Sequence, residues 1–201
     1  MGSALKENTK RFSSICSGKK RFLRQPVFLV VEGKNTEPAY FEWLRSNNWI
    51  SSKFVLRLDS VEGATAAKNL LKRAERLRKS NRDAIVCIVL DKDQNSAESL
   101  NELYQWRDKY PEKCKVAVSI PKFELFLLMH YGEVVGLNTP SEIDARIETV
   151  QPGYGRRKIP KMNSLTRENL RRAITLAKLK VNRLPEKDVS EIATLVEWLI
   201  K

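Results

Sequence analysis

The apolar residues of this chain fall into two kinds of pattern. VFLVV at residues 27–31 and AIVCIVL at residues 84–90 are continuous, β-branched runs with no polar alternation. Runs of that length suit strands covered on both faces, which is the habit of a parallel sheet. FVLRL at 54–58 alternates enough to be a further strand, and KVAVS at 115–119 is a fourth. Helical spacing fills the intervals, over residues 39–47, 64–80, 97–110 and 123–132. Thr36 is placed to cap the first of these helices, with Pro38 near its first turn. In the second, Ala67, Leu70, Leu71, Ala74 and Leu77 share one face, and in the third the core candidates are Leu100, Leu103, Tyr104 and Trp106. Regular alternation of strand and helix predicts an α/β fold, a parallel sheet flanked by helices.

Beyond residue 136 the pattern changes. Residues 140–149 and 167–179 read as helices, separated by the turn-rich basic segment QPGYGRRKIPK. A last helix over 188–201 spaces Val189, Ile192, Ala193, Leu195, Val196 and Leu199 for packing against the core. The expected organisation is a basic flexible arm at 1–25, an α/β core at 26–136 and a mainly helical C-terminal extension at 137–201 packed on that core. A length of 201 residues suits one such domain.

Charge narrows the partners. Thirty-seven Lys and Arg against 24 Asp and Glu leave a net charge of +13, which favours polyanions, nucleic acid first. No apolar stretch of roughly 18 residues is present to span a membrane, and MGSALKENTKRFSS lacks the apolar centre of a signal peptide. The three cysteines, Cys16, Cys87 and Cys114, are widely spaced with no CxxC pair, so a reducing cytoplasm is expected. His130 is the only histidine, which excludes a His-rich metal cluster and leaves carboxylates to carry any catalysis.

Two predicted strands end on acids. Glu32 follows VFLVV directly, Asp91 follows AIVCIVL, and Asp93 stands two residues further on. Ligands of parallel α/β sheets sit beyond the carboxyl ends of the strands, and three carboxylates gathered there need a cation to offset their repulsion. Hard oxygen donors suit Mg²⁺, with Mn²⁺ as a substitute. Such an ion would polarise a phosphodiester and activate water; Glu32 would otherwise serve as a general acid or base.

EGKNTEPAYF after the first strand, DKD after the third and SIPKFELFLLMHY at the fourth together resemble the RloB family, as does the tail VNRLPEKDVSEIATLVEWL. That resemblance implies a Toprim-like domain binding Mg²⁺ through Glu32, Asp91 and Asp93. It also implies a place in bacterial antiphage or restriction loci, with an AAA- or ABC-type ATPase as partner. The sequence departs from the family pattern at Ile120, where an Asn is expected.

Supporting residues are open to two readings each. Glu37 is either an early-turn helix residue or an extra ligand or neighbour of the site, and Lys34 either a solvated lysine or a phosphate partner. Glu124 opens a strongly apolar helix, where a carboxylate either calls for a partner, with the site as the natural one, or is an ordinary acid of a helix N-terminus. Tyr154, Arg156, Arg157, Lys158 and Lys161 sit in a Gly- and Pro-containing loop that is either a solvated basic loop or, by its mobility and charge, a phosphate contact, and the basic helix bearing Lys72 and Arg76 has the same two readings. The expectation is a Mg²⁺-dependent nuclease acting on DNA or RNA in antiphage defence. The alternative is a non-catalytic nucleic-acid-binding or regulatory subunit of an ATPase-containing complex.

Overall fold

The structure, a computed structural model, describes residues 24–60, 67–92, 95–132, 134, 137, 139–157, 159–180 and 189–201. All of the expected basic arm except Arg24 and Gln25 lies outside them, as do Asp93 and Lys158. The elements run β1 (Gln25–Val31), α1 (Thr36–Ser46), β2 (Phe54–Ser60), α2 (Ala67–Ser80), β3 (Ile85–Asp91), α3 (Ala97–Lys109) and β4 (Cys114–Ser119). They continue with α4 (Glu124–Met129), α5 (Pro140–Val150), α6 (Tyr154–Arg157), α7 (Arg167–Lys180) and α8 (Ser190–Ile200).

The four strands form one all-parallel sheet in the order β2-β1-β3-β4. Alternate residues of the central strands serve opposite layers. Val27, Leu29, Val31, Cys87 and Val89 pack with α1, α4, α7 and α8. Phe28, Val30, Val86, Ile88 and Leu90 pack with α2 and α3. Both faces are covered, so the strands read as unbroken apolar runs. The side of each helix follows from handedness: β1 to β2 moves one way across the sheet and β2 to β3 to β4 the other, and a right-handed crossover then puts α1 on one face and α2 and α3 on the opposite one. The chain therefore leaves β1 and β3 in opposite directions. A crevice opens between their carboxyl ends, the switch point at which α/β sheets hold ligands.

The C-terminal helices close the layer over α4 and the sheet. α8 lies against β4 and α7, and Glu191 Oε2 accepts the main-chain N–H of Val118 on that edge strand at 2.9 Å. The free edge is thus covered in part by a side chain from 73 residues downstream. His130, at the end of α4, is fully buried among Tyr40, Trp43 and Phe126. Its Nδ1–H donates to the Phe126 carbonyl at 3.0 Å, so Nε2 accepts from the Tyr40 hydroxyl at 3.2 Å. Burial lowers its pKa to about 4; the ring is a neutral structural group.

Two local expectations need correction. Asn35, not Thr36, precedes α1, and it makes no side-chain cap; the Thr36 hydroxyl is taken instead by Tyr154. The segment QPGYGRRKIPK is not a loose loop. It contains α6, and Gln151 ties its two ends together, accepting from Lys161 N–H at 2.6 Å and donating to the Tyr131 hydroxyl at 2.8 Å.

Candidate metal and nucleic-acid site

Glu32 and Asp91 end neighbouring strands, and the sheet register places them at the crevice between β1 and β3. They are also joined directly, because the Asp91 main-chain N–H donates to Glu32 Oε2 at 3.2 Å. Asp91 Oδ1 in turn accepts the N–H of Phe123 at 2.9 Å, just ahead of α4. One carboxylate so fixes the turn after β4 to the end of β3, and brings Glu124 to the same edge of the sheet.

Glu37 and Glu124 are buried, 7% and 6% exposed. Burial raises the Glu37 pKa to about 7 against its own backbone hydrogen bond, and the charges of Glu124 and Glu32 add to the rise. The Glu37 side chain folds back over the turn after β1: a β-carbon on Gly33 would lie 2.4 Å from Glu37 Oε2. A larger residue at 33 would force that carboxylate to move.

Glu124 is held on both sides. Tyr154, 2% exposed, donates its hydroxyl to Glu124 Oε1 at 2.7 Å. With that proton committed, Thr36 Oγ1, 2.7 Å away, is the donor to the Tyr154 oxygen. The Lys122 ammonium lies 3.8 Å from Glu124 Oε2 and 2.7 Å from Asp144 Oδ1. Burial pulls the Lys122 pKa down, but the Asp144 hydrogen bond and the charges of Glu124, Asp144 and Asp91 outweigh it, and the net shift is upward. Sequence reasoning did not single out Lys122, and it placed Thr36 as a helix cap and Tyr154 in a phosphate-contact loop rather than as partners of Glu124. The pattern Lys122-Phe123-Glu124 at a strand end was the available signal for the lysine.

Glu32, Asp91, Glu37 and Glu124 therefore share one neighbourhood. Asp93 lies outside the described residues. Lys34 is exposed beside a shallow cavity of about 340 Å³ that also touches Asn35, Leu58 and Ile159. Arg156, Arg157 and Lys161 are exposed on the segment anchored by Tyr154, while Lys72 and Arg76 stand on the outer face of α2, apart from the acids.

The donor set fits Mg²⁺ in kind. The ion takes one or two carboxylates and completes its shell with water and substrate phosphate, a demand that Glu32 and Asp91 match. Ser119, opposite Asp91 in the β3–β4 register, is fully buried, and its hydroxyl has no hydrogen-bond partner among the described atoms. Among the described residues no group of three or more His, Cys, Asp or Glu side chains is arranged to hold a metal by itself.

A family model described as RloB-like protein matches residues 27–201. The chain belongs to the RloB-like family. No curated protein and no solved structure matched it significantly. The match takes in the described elements of this RloB-like chain from the β1 run to the end of α8. No helix among its described residues is long and apolar enough to cross a membrane.

Proposed function

We propose that this RloB-like protein is a Mg²⁺-dependent phosphodiesterase that cuts nucleic acid in antiphage defence, with a Toprim-like use of its strand-end acids. The observation that carries the reading is the convergence of Glu32 and Asp91 at the switch point of a parallel sheet, next to a buried Glu37 whose proton affinity is raised to about 7. Glu32 and Asp91 would hold the ion, with Asp93 as the third ligand. When bound, Mg²⁺ would polarise the phosphoryl oxygen and help to activate and orient a water nucleophile.

The protein's own groups supply the rest. Burial and the neighbouring acids raise the Glu37 pKa to about 7 with no metal bound, and its place beside Glu32 would suit it to pass a proton to a leaving oxygen or take one from water. Lys122 keeps its charge beside Glu124 and Asp91, where a cation favours a phosphate carrying extra negative charge. The net charge of +13 draws a polyanion to the protein.

The test is hydrolysis of labelled DNA and RNA in Mg²⁺ or Mn²⁺, by the chain alone and with an ATPase encoded beside it. Glu32→Gln and Asp91→Asn should each lower the rate at least about 100-fold with the fold intact. Absence of cleavage in every combination defeats the proposal. Glu32 Oε2 and Asp91 Oδ1 each accept a main-chain N–H, a structural use of both carboxylates that favours a second reading, a binding or regulatory subunit of an ATPase complex. Under it, nucleic-acid or ATPase binding survives loss of Glu32 and Asp91.

A further inference from the structure

The segment QPGYGRRKIPK is built with more care than a solvated basic loop requires. Gln151 closes it through Lys161 N–H and Tyr131. Glu148, on α5, accepts the N–H groups of Gly153 at 2.6 Å and Gly155 at 2.7 Å, and Gly153 sits at φ +83°, a conformation that glycine adopts freely. A β-carbon on Gly155 would come within 3.2 Å of the same Glu148 carboxylate. Between these ties Tyr154 drops from α6 into the acidic pocket and ends on Glu124 and Thr36. Arg156 and Arg157 follow in the same short helical turn, and both are exposed. Ile159, 52% exposed, borders the cavity beside Lys34.

We propose that the described residues of the segment, 151–157 and 159–161, form a strap that grips the sugar-phosphate backbone of a nucleic acid beside the acidic cluster. Arg156 and Arg157 make the contacts, and Tyr154 is the positioning residue that fixes the strap to Glu124 and Thr36. A phosphodiester entering the pocket has phosphates on either side of it, one nucleotide away, and these need a cationic partner that the acids cannot provide. The anchored turn supplies two planar guanidinium groups, each able to bond phosphate through two N–H donors. This inference rests on the reading that the pocket receives a nucleic-acid phosphodiester.

The experiment reads binding, not cleavage. The full chain is titrated with a short fluorescent single-stranded oligonucleotide in EDTA over a range of salt concentrations. Each phosphate contact on a single strand contributes about 0.7 to the slope of log K against log salt, so Arg156→Ala with Arg157→Ala should flatten it by about 1.4. Tyr154→Phe should flatten the slope in the same direction with no change of charge. Thr36→Val should do so too, and Thr36→Ser should restore it. Thermal unfolding of each variant checks the fold, and if Tyr154→Phe does not fold, the Thr36 pair carries the test. The control, Lys53→Ala with Arg82→Ala, removes the same charge just ahead of β2 and β3, at the opposite end of the sheet, and should leave the slope unchanged. Equal slopes for the strap variants and the wild type overturn the proposal, as does an equal loss in the control. If the wild type binds with a strap-dependent slope but cuts nothing in Mg²⁺, hydrolysis falls and the strap stands. Cleavage with an unaltered slope overturns the strap alone.

Discussion

At the scale of the residue, two buried titratable groups oppose each other. Glu37 is raised to about 7 by burial and by the neighbouring acids, so the folded protein holds a proton that the unfolded chain has released above its ordinary value of 4.5. Its contribution to stability is therefore lost as pH rises from about 4.5 to 7. His130 is lowered to about 4 from 6.5 by burial, so the unfolded chain binds the extra proton and stability is lost as pH falls through that window. At about 1.4 kcal/mol per pH unit for each group, the two slopes nearly cancel between 4.5 and 6.5. In metal-free buffer Glu37→Gln should remove the falling limb, and its stability relative to wild type should grow by on the order of 3 kcal/mol from pH 4.5 to 7. Urea unfolding at a series of pH values measures this; superimposable profiles would show that Glu37 ionises in the folded state as an ordinary carboxylate.

At the scale of the element, the edge strand β4 depends on a tie from a distant helix. The Val118 N–H points away from β3 and is satisfied by Glu191 Oε2, which also accepts from the Tyr104 hydroxyl at 3.2 Å. Glu191→Ala leaves a buried amide without that acceptor and should cost about 1–3 kcal/mol, with light scattering rising at high protein concentration as the strand edge is bared. Glu191→Gln keeps an acceptor oxygen and should lose little. A midpoint for the Ala variant within 1 °C of wild type would refute this account. The same element shows what a sequence conveys and what it withholds. The central parallel strands were legible because burial on both faces leaves unbroken apolar runs, and the acidic strand ends because chain order alone puts them at one edge. Thr36 looked like a helix cap because capping is local chemistry; its partner Tyr154 is 118 residues away. The order built into QPGYGRRKIPK was hidden for the same reason, since its glycines and charges suit a loose loop until Glu148, Gln151 and Glu124 are brought around it.

For the whole molecule, a cluster of acids at one edge of the sheet is set in a chain of net charge +13. The global field gathers polyanions while the local carboxylates repel them, and a divalent cation reconciles the two. If Glu32 and Asp91 hold Mg²⁺, the thermal midpoint should climb with Mg²⁺ concentration, by the equivalent of about 2.7 kcal/mol at 100 times the Kd, and the climb should vanish in Asp91→Asn. Calorimetric scans against MgCl₂, with matched NaCl as the ionic-strength control, decide this; an equal rise in the variant would place the ion elsewhere. The long tie from α8 to β4 also has a consequence for the birth of the chain. Val118 leaves the ribosome 73 residues before Glu191, which at about 5–20 residues per second is about 4–15 s of synthesis. Throughout that interval the nascent sheet has an open border that invites neighbours on the same messenger, so fast passage through codons 119–191 protects the protein before it is finished.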